Sequence, residues 1–323
     1  MSQLLNKFKQ EFIDLQLEML WRQWSALGVI ANTPPERKRV IDPEALLAYT
    51  LSIGPYDKRL FQASLEWLSE YGDWLSVSRL KTALSLYFRP DAPLSEGIIP
   101  IETLNLFNEV IEQQGTRWRS IARLTSEQTK SKGSNRPPMN FEPRGVLGTI
   151  NFRQPTLVEL QLRAIFGVEA RADAFVFLLF NEDGNSNSIA KDIFADQGNV
   201  YKFLEKWACA GIVVKASGHK TGTYSLADKT KWFSLLGLDK KLIFLNWMRA
   251  FHVLGKISTA LDKPPWATDK YLIASLFRDI TSDLQPLAKQ FKVNLPEPTL
   301  HPGAELYEPF SRALMRLCSD LKK

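Results

Sequence analysis

The sequence predicts a mainly α-helical protein of several domains, on three observations. Apolar residues recur at spacings of three and four along most of the 323 residues. Helix starts such as Asp42-Pro43 alternate with Gly and Pro stops. Runs rich in β-formers are confined to 212–214 and 223–226. The length exceeds the ~100–200 residues of one domain, so several are expected. The predicted division is a helical domain over 1–124, a basic flexible linker over 125–153, a mixed unit over 154–228 and a helical domain over 229–323.

Residues 4–27 place Leu5, Phe8, Phe12, Leu20 and Trp24 on one apolar stripe, which Gly28 ends. A polar, proline-bearing loop follows over 32–39. Asp42 is the expected N-cap of the next helix, with Pro43 at its first position and Gly54-Pro55 as its stop. Asp57 opens a helix that ends at Tyr71-Gly72, and Ser76 opens another that reaches Phe88. That helix-break-helix run is similar to the lead-in of a helix-turn-helix. Arg89-Pro90-Asp91-Ala92-Pro93 follows it in place of a β-hairpin, which favours a plain supporting or dimerising bundle. A further helix is predicted over 101–114, with Gly115 as its stop.

Arg117, Arg119, Arg123, Lys130, Lys132 and Arg136 then face only Glu127 within 117–136. The later part of this stretch is poor in apolar residues and reads as exposed chain. Two readings stay open: a segment that lies along a nucleic-acid backbone and adds salt-dependent affinity, or a solubilising linker. Residues 141–150 read as extended, and 156–166 as a helix closed by Gly167.

The most informative stretch is 170–226. An apolar helix over 170–180 stops at Asn181-Glu182-Asp183-Gly184. A short helix over 188–194 follows, with Asn187 or Ser186 as its cap, then a turn over 195–198. A third helix over 199–210 buries Val200, Phe203, Leu204, Trp207 and Ala208, and Gly211 ends it. Two β-rich runs joined by a polar loop over 215–222 complete the unit. This order resembles the winged helix-turn-helix of transcriptional regulators in the broad MarR- and ArsR-like sense. The resemblance covers about a fifth of the chain. It rests on "NSIAKDIF" as positioning helix, "NVYKFLEKWACAGIV" as recognition helix and "KASGHKTGTYSL" as wing.

The resemblance implies binding of double-stranded DNA, since a B-form major groove about 12 Å wide admits one helix. Gln197, Asn199, Tyr201, Lys202 and Lys206 are then the residues nearest base edges and phosphates, and Lys215, His219 and Lys220 the wing contacts. Charge agrees: within 197–226, Lys202, Lys206, Lys215 and Lys220 face Glu205 alone. A formal net charge of +6 favours a polyanionic partner without requiring one. Winged helices also serve as protein-interaction modules, so that reading stays open.

Beyond 226 the expected helices cover 231–238, 240–259, 267–291 and 305–323. Their Trp and Phe content suits a homodimer interface, an intramolecular core or a pocket for a small effector. The two cysteines, Cys209 and Cys318, lie far apart, as expected of reduced thiols in a cytoplasmic protein. The N-terminus lacks an apolar h-region, so it is not read as a signal peptide, and no membrane span is expected. None of His219, His252 and His301 has metal-ligand spacing, and no nucleotide loop or nucleophile elbow occurs. No cofactor and no catalytic residue is expected.

Overall fold

A computed structural model of the chain describes residues 2–88, 99–131, 141–216, 222–263 and 268–323. It is mainly helical, as predicted. The first helices are α1 (Ser2–Ala26), α2 (Pro43–Ile53), α3 (Lys58–Tyr71), α4 (Val77–Phe88), α5 (Ile101–Gln113) and α6 (Arg119–Ser131). A middle group contains α7 (Val158–Phe166), α8 (Ala170–Phe180), β1 (Gly184–Asn185), α9 (Ser186–Ile193), α10 (Gln197–Cys209), β2 (Val213–Ala216), β3 (Thr223–Leu226) and α11 (Lys229–Leu235). The last helices are α12 (Trp247–Asp262), α13 (Lys270–Gln290) and α14 (Tyr307–Lys322). The strands form one antiparallel sheet in the order β1-β3-β2. Among the described residues no helix is long and apolar enough to cross a membrane.

Local chemistry sets the helix ends. The Asp42 carboxylate accepts the Ala45 N–H at 3.0 Å, and Asp57 accepts those of Arg59 and Leu60 at 2.9 and 3.0 Å. Gly28 follows α1 at φ +93°, in the region open to glycine.

The packing divides differently from the sequence expectation. Residues 1–124 and 229–323 were expected as separate domains, yet they share one apolar core. Tyr49 of α2 stacks on Phe251 of α12 with ring centroids 4.6 Å apart, and Phe8 of α1 meets Phe277 of α13 and Tyr307 of α14. A second core gathers α7 to α10, β2, β3 and the chain to Leu242, joined among the described residues by buried Val40 and partly buried Phe244. The middle unit therefore sits as an insertion between two stretches that pack on each other.

Two further expectations are corrected. The flexible linker of 125–153 is helical to Ser131, because Thr125 is buried and its hydroxyl donates to the Ile121 carbonyl at 2.9 Å. Within 141–153 the chain is tied to the first core. Glu66 accepts the N–H groups of Arg144 and Val146 at 2.7 and 2.9 Å, and Phe152 lies on Trp74. The expected helix over 240–259 begins only at Trp247, since Ile243 spends its backbone groups on the 38–40 segment. Its N–H donates to Lys38 and its carbonyl accepts from Val40.

Candidate functional site

The middle unit positions α10 through two tight turns. Gly184 is required where β1 crosses α8, because a Cβ there would stand 2.8 Å from Ile189 and 2.9 Å from Phe177. Asn185, rather than Asn187 or Ser186, caps α9: it lies in extended β1, and its side chain accepts the Ser188 N–H at 2.9 Å. Phe194 ends α9 in the left-handed region at φ 57°. Asp196 then caps α10 on the Asn199 N–H at 2.9 Å, so the helix starts at Gln197, two residues earlier than expected. Val200, Phe203, Leu204 and Trp207 face the second core, and Gly211 at φ +71° turns the chain into β2.

Asn199, Lys202 and Lys206 occupy one edge of α10 at helical spacing and line a cleft of roughly 740 Å³. The opposite wall is the start of α4 with Ser78, Arg79 and Thr82, joined by Arg117; Arg171 from the start of α8 closes one end. Two basic features far apart in sequence, 197–206 and Arg117, thus meet in one cavity. Among the described residues Arg171, Lys202 and Lys206 make no ion pair. Arg117 is held by the Asp73 carboxylate at 3.1 Å and by the Leu75 carbonyl.

The other predicted residues are placed differently. Gln197 donates to Ser186 Oγ at 3.0 Å, which ties the start of α10 to the start of α9. Tyr201 is exposed on the edge toward the sheet, with Lys215 Nζ 6.0 Å from its ring centre. Lys215 itself pairs with Glu205 at 2.7 Å, and the Tyr224 hydroxyl donates to the same carboxylate. The hydrogen bonds from Lys215 and Tyr224 hold Glu205 below the usual carboxylate range, and burial pushes Tyr224 up to about 12. Arg119 is exposed on α6 and Arg123 pairs with Glu127 one turn along; neither lines the cleft. Lys130 is in α6, whereas Lys132, Arg136, His219 and Lys220 lie outside the described residues.

Below the cleft is a buried ionic cluster that sequence reasoning missed. It joins α2 and α4 of the first core to α7 and α8 of the second. Arg163 donates to both oxygens of Glu44 at 2.8 Å, to Glu159, to Asp173 at 3.3 Å and to the Trp74 carbonyl at 2.7 Å. Arg79 pairs with Asp42 and lies 3.6 Å from Glu44 and from Asp173. Its guanidinium also donates to the Ile193 carbonyl at the end of α9 at 3.0 Å. Asp173 of α8 is buried, where it pairs with both arginines. Asp42, Glu44 and Glu159 offer oxygens within 4.8 Å of one another, a spacing suited to a cation, and the two guanidiniums already supply that charge.

Four carboxylates against two guanidiniums leave the cluster short of positive charge. Burial, with Asp42 and Asp173 adding to it, drives Glu159 well above the ordinary range despite Arg163 and Arg79. Burial raises Glu44 as well. A carboxyl raised on folding keeps a proton that the unfolded chain releases. Its stabilising effect is therefore lost as pH rises from the ordinary value of 4.5 through the folded one. Glu159→Gln is expected to be neutral or stabilising by about 1 kcal/mol near neutrality, since it removes one poorly compensated buried charge. Urea titrations from about pH 5 to about pH 8 would show the wild type losing ground to the variant as pH rises. A difference independent of pH would refute the assignment.

Comparison of the chain with family models, with curated proteins and with solved structures finds no match.

Proposed function

We propose that the protein is a DNA-binding transcriptional regulator that reads duplex DNA with α10. The observation that carries this reading is the exposed edge of Asn199, Lys202 and Lys206, which faces Arg117 and Arg171 across one cleft. The order α8, β1, α9, α10, β2, β3 with a β1-β3-β2 sheet supports a winged helix-turn-helix. In this arrangement the start of α10 enters a major groove. Asn199 is suited to adenine, and Lys202 and Lys206 to guanine or phosphate.

The test is fluorescence anisotropy on a random duplex and on DNA upstream of the gene, across a salt series. Lys202→Gln/Lys206→Gln is expected to weaken binding by on the order of tenfold or more and to lower the log–log salt slope by roughly two. Preference for the upstream duplex would support a regulator; no binding to either duplex at low salt would sink the reading. A second reading, a protein-interaction module, is favoured by the Lys215–Glu205 pair, which withdraws the wing lysine from phosphate. Its signature is a partner retained regardless of salt.

A further inference from the structure

We infer that the cleft between α10 and α4 is a binding site for a phosphate-bearing ligand. This goes beyond duplex recognition and stands whether or not α10 reads bases. Some of the charges on the cleft wall are already paired. Asp173 is paired with Arg79 and Arg163, while Asp196 caps α10 on the Asn199 N–H and keeps its charge. Arg79 is committed in turn to Asp42, Asp173 and the Ile193 carbonyl. What remains outside any ion pair among the described residues is Arg171, Lys202 and Lys206 against Glu169 and the helix-capping Asp196, with the partly engaged Arg117 opposite. Three cations free of ion pairs, from two helices, line one half-open cleft.

A single carboxylate brings only one negative charge to these cations. A phosphate or diphosphate offers several acceptor oxygens and more than one negative charge, which suits a spread set of guanidinium and ammonium donors. The hydroxyls of Ser78 and Thr82 on α4 and the amide of Asn199 on α10 add neutral polar groups to the lining. The volume, roughly 740 Å³, falls in the range of small-molecule sites, so a ligand of nucleotide size fits as well as one backbone phosphate. The phosphate has two sources: the backbone of a duplex lying on α10, or a free phosphorylated compound acting as effector.

Isothermal titration of the full chain with inorganic pyrophosphate at low salt tests the site. One saturable site is expected. Lys202→Gln/Lys206→Gln and, separately, Arg171→Gln are each expected to weaken it by about tenfold or more, the loss of one or two charge-assisted hydrogen bonds. Lys240→Gln/Lys289→Gln removes two exposed lysines outside the cleft and is expected to leave it unchanged. Non-saturable uptake, or an equal loss in this control pair, would overturn the proposal. Displacement of a labelled duplex by pyrophosphate assigns the phosphate to the DNA backbone. Pyrophosphate binding without displacement assigns it to a free ligand. Pyrophosphate binding with no duplex binding at all removes the regulator reading and leaves the cleft site standing.

Discussion

Arg163→Met is expected to cost about 3–5 kcal/mol, the penalty for stranding a buried charge rather than for losing a surface pair. The Arg163 side chain has no exposure, nor has that of Glu44, which it holds through both oxygens. Met fills most of the volume but offers Glu44, Glu159 and the Trp74 carbonyl no donor. Glu44 keeps only the Ser76 N–H and Arg79, 3.6 Å away. Both carboxyls would then be forced further toward their protonated forms, which adds cost at neutral pH. The loss is read as a lowered urea midpoint by far-UV circular dichroism at constant slope. A change under about 1 kcal/mol would mean that the cluster is wetter than its burial implies.

Phe251→Ala carries the second large effect, again about 3–5 kcal/mol, from lost burial and the cavity left behind. Phe251 is fully buried between Tyr49 and Trp247, with ring centroids 4.6 and 4.7 Å away. It sits on the seam where α2 and α12 join the two ends of the sequence. Hydrogen exchange on the variant should show amides of α2 and α12 losing protection together, as one cooperative unit. Separate loss in α12 alone would make the last helices an independent domain after all.

Legibility in the sequence followed range. Asp42 and Asp57 were readable as caps because their partners lie two or three residues away. Gly28 and Gly211 were readable as helix ends because the positive φ that each adopts is a local requirement. The buried cluster was invisible for the opposite reason: Glu44 and Arg163 are 119 residues apart, and nothing local separates such a carboxylate from a solvated one. Asp173 shows this well, since one turn from exposed Glu169 it enters a wholly different environment. Arg117 and Lys202 were each readable as basic, but their meeting across a cleft depends on how the two cores dock. The 125–131 stretch misled because it is poor in apolar residues; Thr125 is fixed by hydroxyl hydrogen bonds that composition does not register.

The shared outer core has a consequence for how the chain is made. Helix α1 rests against α14, with Lys322 paired to Glu18 at 2.8 Å, and against α12, where Ser258 donates to Gln16 across 242 residues. On a ribosome adding roughly 5–20 residues per second, the apolar stripe of α1 is exposed for on the order of tens of seconds before its partner emerges. The middle unit draws almost all of its core from 158–242 and needs no such wait. It is therefore positioned to form first, and the terminal helices close around a finished centre. Nascent chains whose first 244 residues have cleared the ribosome should carry that centre folded, while the stripe of α1 is still exposed.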